Sequence, residues 1–394
     1  MASCLAALQR LHGLDMRRVI GHGGEAQVHS AVDGNGKNVA VKLLKYNPSD
    51  PQSMTDAEQK AANEAIGWRK IGYDTQTIKL PDHSTVAFVM PLLTGKSLKQ
   101  HAREGAQWSV LQGSKMAVLY FEQLSLFHSR RIGMSPLAHR DLKPSNVMIV
   151  ERQFQNSAEY VPVIIDWGAA HVAKGDGSQD RKFPGKPTGS RGYFGPDIYK
   201  SKQTYEIDVY ASIPIVLIFL RYQGDCSVLK SQYFDQMMKI SRTSDDILRR
   251  ERRSELYEKA ARAPFPIVEV AFEFYRTDPQ ACNILISFLA RMQSVDVKLR
   301  PTSLQCLKFF LRLHEYFFLK ASINSDSKSG DSNSETKSDL EQVLSELASS
   351  AGVKPPQPPT LSESTSEVAA SPADSAVPRT STDHDAGQDA TSAP

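Results

Sequence analysis

Five polar residues stand at fixed offsets in one short stretch, HRDLKPSN, residues 139–146. Asp141 can accept a proton from an incoming hydroxyl and orient it. Lys143 can sit over a transferring phosphoryl group, and Asn146 can offer an amide oxygen to a metal ion. The stretch runs into VMIV, an apolar strand that ties it to a core. A second strand, VIID, ends at Asp166. A carboxylate there, beside an amide at the start of the partner strand, suits Mg2+, with phosphates completing the shell. Any one of these residues could be ordinary surface polarity. All five of the first stretch, His139, Arg140, Asp141, Lys143 and Asn146, would arise together by chance in roughly one chain in ten thousand of this length.

Two upstream features extend the chemistry. Lys42 lies in VAVKLL among apolar neighbours, and a buried ammonium needs a partner. On the following helix Glu64 shares a face with Ala61, Ala65, Trp68 and Ile71, which is otherwise apolar, so its carboxylate points inward. The pair would hold the ammonium ready for a phosphate; a purely structural ion pair is the other reading. In GHGGEAQV, Gly21 and Gly23 follow a short strand and Val28 begins another. Glycines let backbone N–H groups approach phosphates. Alone, this is equally a glycine-rich turn with no ligand. Lying between strands, it is neither a Rossmann nor a Walker loop, both of which open a helix.

The elements that must position these groups are legible in outline. Residues 1–14 read as a helical lead-in. VHSAVDGNGKNVAVKLLKY reads as a hairpin turning at DGNG. TDAEQKAANEAIGWRKIG reads as a helix, with Thr55 and Glu58 as a capping box and Gly72 as its stop. From about 94 to 318 helical patterns dominate around one hairpin, NVMIV and VPVIID, and IPIVLIFL at 213–220 reads as a buried helix. The expected class is α+β and bilobal: a small β-rich lobe over 15–93 and a larger helical lobe over 94–318.

Net charge is +3, unevenly spread. Residues 321–394 hold 4 Lys and Arg against 12 Asp and Glu, a charge of −8, which leaves +11 on the rest. That segment is rich in Ser, Thr, Pro and Ala and lacks aromatics, so it cannot offset its chain entropy and is expected to be a disordered acidic tail. Within it, Leu340, Val343, Leu344 and Leu347 fall at helical spacing, so a short helix over 339–350 docks on a partner, docks on the body, or frays. Four cysteines without metal-type spacing read as reduced thiols. The first twenty residues lack a basic start followed by an apolar run, and no apolar run is long enough to span a bilayer. The expectation is a chain that is not classically secreted: cytoplasmic, or in a host cytosol if it is a translocated effector, with no nucleic-acid partner and no membrane span.

The motifs HRDLKPSN, GHGGEAQV, VAVK, DWG (166–168), GSRGYFGPD (189–197), DVYASIPIVL and KLRPTSLQCL occur in the order of the eukaryotic-type protein kinases. Over residues 15–318 the chain resembles that family, and LKPSN resembles its serine/threonine branch. The resemblance implies a bilobal fold, ATP with Mg2+ (or Mn2+) as cofactors, and a protein substrate bearing a Ser or Thr acceptor. It implies nucleotide contacts from Gly21, Gly23, Val28, Ala40, Lys42, Met90, Leu92 and Leu93, and metal contacts from Asn146 and Asp166. Asp141, Lys143, Asn146, Lys42 and Glu64 would carry the chemistry, with His139, Arg140 and Asp208 supporting the loop. Ser190 would touch Asp141 and Lys143, Asp197 would pair with Arg300, and Thr188 or Ser178 would take any regulatory phosphate, Lys186 standing near the usual position.

Departures from the family pattern are few. Ala26 replaces a glycine, Glu25 an aromatic and Trp167 a phenylalanine; Gly195 and Asp197 replace alanine and glutamate. None removes a catalytic group. A non-catalytic scaffold acting through its tail and a small-molecule kinase of related fold are the alternative functions.

Overall fold

The structure, a computed structural model, describes residues 2–220 with breaks at 24–25, 106–107, 131–134, 155–156, 173–181 and 185–187 and at scattered positions between 191 and 201, then 278–326 and 334–353. Glu25, Ser178, Lys186 and the tail beyond 353 lie outside the described residues.

The N-terminal lobe is a five-stranded antiparallel sheet: β1 (Asp15–His22), β2 (Ala26–Val32), β3 (Asn38–Lys45), β4 (Gln76–Leu80) and β5 (Thr85–Pro91), in the order β1-β2-β3-β5-β4. The β2–β3 turn is closed by Asp33, which binds the Lys37 carbonyl through its backbone and the Asn35 and Lys37 N–H groups through its side chain. Strand alternation gives the sheet two faces. Val39, Val41 and Leu43 point to one, where α1 (Ala2–His12) covers them with Cys4, Ala7 and Leu8. Leu44, Val86 and Phe88 point to the other, against Ala57, Ala61 and Trp68 of α2 (Pro51–Lys70).

Helix α2 begins four residues before Thr55. Asp50 is its N-cap, accepting from the Gln52 N–H, with Pro51 at the first helical position, where a missing N–H costs nothing. The expected capping box is therefore not formed: Thr55 donates to the Pro51 carbonyl, and Glu58 pairs with Lys79 on β4. The helix closes at Ile71, with Gly72 left-handed at φ 84°.

Beyond Pro91 the chain passes through β6 (Gly95–Ser97) and α3 (Leu98–Arg103) into α4 (Val110–His128), the long buried helix of the second lobe. A short strand β7 (Leu137–Ala138) leads into the catalytic-type loop; then β8 (Val147–Phe154) and β9 (Ser157–Ile164) form the expected hairpin, with β6 on its outer edge. β10 (His171–Val172) pairs with β7, and β11 (Lys182–Pro184) with β12 (Lys202–Thr204). The apolar run at 213–220 is buried as expected, but as two pieces, α5 (Glu206–Ala211) and α6 (Ile213–Phe219). Pro214 falls in the first turn of α6, the place where its missing N–H is tolerated, so the break sits just before it.

The core of this lobe is one cluster built from α4, α6, α7 (Pro279–Met292) and α8 (Ser303–Asp326). It also contains Val343, Leu344, Leu347, Ala348 and Ala351 of α9 (Ser334–Ala351). The tail expected from 321 onward is thus corrected for 321–326, which complete α8, and for 334–351. The helix is longer than 339–350, and its apolar stripe is spent on the body instead of being left for a partner. Arg291 donates to the Ser350 carbonyl (2.5 Å), and Arg312 pairs with Glu346 (3.0 Å).

Candidate active site

Strand register puts Val28 opposite Lys42, and Ala40 opposite Met90, so these four side chains share the face of the sheet that looks toward α2. Leu93 packs, partly buried, at the rim of the same cluster, and Leu92 is partly buried beside it. Gly21 pairs with Val28, and the Gly23 N–H closes on the Ala26 carbonyl at 2.8 Å.

Lys42 Nζ lies 2.5 Å from Glu64 Oε1 and 2.5 Å from Asp166 Oδ1. The three groups differ in access: the Glu64 side chain is 1% exposed, that of Lys42 12%, and that of Asp166 43%. Burial works against the Lys42 charge, but Glu64 and Asp166 more than offset it and hold the ammonium above its ordinary value. Burial pushes Glu64 up despite Lys42, and it opposes the Asp166 charge too, yet Lys42 holds Asp166 below the usual carboxylate range. Asp166 is thus an ionised oxygen donor open to the space between the lobes. It sits two residues past the end of β9, at φ 68°, the left-handed region that turns its carboxylate back toward Lys42.

The loop 139–146 is hung from α5. Asp208 is fully buried and accepts the backbone N–H groups of His139 (2.7 Å) and Arg140 (2.8 Å), as well as Nε2–H of His128 (3.0 Å). Burial opposes its charge, but these donors, His128 foremost, hold its pKa below the ordinary carboxylate value. The His139 ring bridges inward, accepting the Asp141 N–H at Nδ1 (3.2 Å) and donating from Nε2 to the Ile165 carbonyl (3.0 Å).

Around Asp141 the polar atoms are divided. Oδ2 accepts from Lys143 Nζ (2.8 Å) and Asn146 Nδ2 (3.2 Å); Oδ1 is buried and has no partner. Asn146 also donates to the Asp141 carbonyl (2.8 Å), so its amide nitrogen is used and its oxygen is left as a donor to a cation. Lys143 Nζ reaches Ser190 Oγ at 2.5 Å. Gly189, at φ 114°, lets the 188–190 segment lie on the loop: a Cβ there would stand 3.4 Å from the Arg140 carbonyl carbon and closer still to its oxygen. Arg140 Nη2 donates to Thr188 Oγ1 (3.1 Å). Arg300 Nη2 and Asp197 Oδ1 meet at 2.7 Å, both buried, beneath the Tyr210 ring.

The structure therefore gathers Lys42, Glu64 and Asp166 in one cluster and Asp141, Lys143, Asn146 and Ser190 in another. Sequence reasoning missed His128, which buttresses Asp208, and three residues of α2: Asn63, Gly67 and Lys70. Asn63 donates to the Ala170 carbonyl (2.9 Å), and Lys70 to the Leu126 and Ser129 carbonyls at the end of α4 (3.5 and 3.4 Å). Of these only Gly67 left a signal, a glycine inside a helical pattern.

The donor set, one carboxylate and one amide oxygen, fits a hard divalent cation that takes the rest of its shell from phosphate and water. A pattern describing the protein kinase domain matches residues 14–311, and the chain belongs to the protein kinase family. Members of that family use ATP and a divalent metal. The chain is 26% identical over 233 residues to wall-associated receptor kinase-like 17 of Arabidopsis thaliana, 57% of this chain and 27% of that protein. Two bacterial relatives are the serine/threonine-protein kinase PkaA of Streptomyces coelicolor, 26% identical over 48% of this chain and 33% of its own, and the Corynebacterium efficiens serine/threonine-protein kinase drp72, 32% identical over 52% of this chain and 38% of its own. The chain spans well under half the length of these relatives. No helix among the described residues is long and apolar enough to cross a membrane.

Proposed function

We propose that the chain is a serine/threonine protein kinase, moving the γ-phosphoryl group of Mg·ATP to a protein hydroxyl. The observation that carries the reading is the division of labour on Asp141. One carboxylate oxygen is fixed by Lys143 and Asn146, and the other, buried and unpartnered, is free to take the hydrogen bond of an acceptor hydroxyl.

Each remaining group has a task in that reaction. Lys42, charged and held by Glu64, engages the α- and β-phosphates. Val28, Ala40 and Met90 line the adenine side, with Leu92 and Leu93 at the connector. Asp166 and Asn146 would hold Mg2+, which when bound bridges phosphate oxygens and neutralises their charge. Asp141 orients the hydroxyl for in-line attack, and Lys143 sets its ammonium over the charge that develops on the γ-phosphoryl oxygens. Ser190, on Lys143, supports Ser and Thr as acceptors, as do the names of the two bacterial relatives. Buried thiols at Cys4, Cys282 and Cys306 support a reducing cytosol as the working compartment; burial pushes Cys282 up to about 12, which keeps it protonated.

Incubation with labelled ATP and Mg2+, followed by mapping of the modified residues, tests the proposal. Label on Ser or Thr of a protein is the expected result. Label on small alcohols alone, or none, would overturn it.

A further inference from the structure

Where the family carries phenylalanine after its metal-binding aspartate, this chain carries Trp167. The indole is fully buried, wedged between α2 on one side and Phe127 and His139 on the other, at ring-centroid distances of 3.9 and 4.5 Å. Its N–H meets no acceptor, so what the ring contributes is volume and not a hydrogen bond. Gly67 faces it. A Cβ on residue 67 would fall 2.5 Å from Cδ1 and 2.6 Å from Cδ2 of the ring, distances that real side chains do not tolerate. Propensity alone favours alanine over glycine in a helix interior. The glycine is therefore a notch cut to the indole.

The notch stands one turn from the carboxylate that matters, since Gly67 is three residues after Glu64 on α2. Its flanks are clipped as well. Asn63, itself held by Gln59 (2.9 Å), donates to the Ala170 carbonyl just past Trp167, and Lys70 donates to carbonyls at the end of α4. Asn63, Gly67 and Lys70 recur at offsets of four and three, one stripe facing the second lobe.

We infer that Gly67 and Trp167 are positioning residues for the Lys42–Glu64 pair: the indole keyed into the glycine notch sets the depth at which α2 seats, and hence brings Glu64 to Lys42. The inference rests on the kinase reading for its effect on turnover, but not for the fit of the two residues. A methyl at 67 pushes α2 outward, because the indole has no room to retreat toward Phe127 and His139. A phenyl ring, lacking the second ring's atoms, leaves that room.

The test is a four-protein cycle on the full chain: wild type, Gly67→Ala, Trp167→Phe and the double variant, each read by kcat, KM for ATP and melting temperature. Gly67→Ala should lower the melting temperature, reduce kcat by about tenfold or more and raise KM for ATP, since an unseated Glu64 releases Lys42. Trp167→Phe alone should stay within about threefold of wild type, and in that background Gly67→Ala should lose most of its penalty on all three readouts. Equal penalties in both backgrounds, or a melting temperature raised by Gly67→Ala in wild type as helix propensity alone would give, would overturn the inference. If wild type transfers no phosphate, the kinase reading fails, and the coupling of melting temperatures still decides the notch.

Discussion

Arg300 and Asp197 meet at 2.7 Å with side chains 0% and 2% exposed, close enough to attract but without the alignment of a hydrogen bond. One partner precedes α5 and the other precedes α8, so the contact ties the far end of the segment after Asp166 to the helical body. Removing one partner leaves the other as an uncompensated buried charge. Arg300→Met should cost about 3 kcal/mol of unfolding free energy, measured by urea titration. Adding Asp197→Leu should recover a large part of that loss.

Asp208 gives the fold a pH dependence of known sign. Its pKa is depressed in the folded state, so its contribution is present above the ordinary carboxylate value and is lost as pH falls through the folded one. Asp208→Asn should lower stability at neutral pH and flatten the acid limb of the stability curve below about pH 4. Melting temperatures across that range, wild type against variant, check it; parallel curves would remove Asp208 from the explanation.

The docked α9 yields a stability prediction far from the chemistry. Leu347 is fully buried in the core of the second lobe, whereas Glu341 on the same helix is exposed. Leu347→Ala should destabilise by about 2–4 kcal/mol, and Glu341→Ala by less than about 0.5 kcal/mol. Equal effects would mean that the helix does not pack as described.

Lys42 answers to two carboxylates, so removing it does more than delete a phosphate contact. Lys42→Met leaves Glu64 and Asp166 facing one another without a cation. Turnover should fall by about a hundredfold or more, with far-ultraviolet circular dichroism unchanged. Wild-type turnover in a folded Lys42→Met protein would remove the ammonium from the reaction.

Much of this site was legible because its residues are contradictions in local pattern. Lys42 interrupts an apolar strand, Glu64 an apolar helix face, and Asp141, Lys143 and Asn146 crowd a loop that enters a buried strand. The sheet and its hairpin followed from alternation and from the DGNG turn. What escaped was of another kind. Asn63 and Lys70 act on backbone carbonyls of residues distant in sequence, which no periodicity encodes. His128 looked like any histidine at a helix end until Asp208 was placed beside it. The start of α2 was missed because Thr55 and Glu58 imitate a cap, while Asp50 and Pro51 supply it. The tail was misjudged because composition averages over a stretch: a few apolar residues at helical spacing suffice when a prepared face receives them.

The central claim is that Asp141 acts on the acceptor hydroxyl and not on the nucleotide. Single-turnover phosphate transfer and calorimetric Mg·ATP affinity, measured on wild type and Asp141→Asn, test it most directly. Transfer should fall by about a thousandfold, while nucleotide affinity stays within about threefold of wild type. Transfer at the wild-type rate in the variant would contradict the assignment, and so would a loss confined to nucleotide affinity.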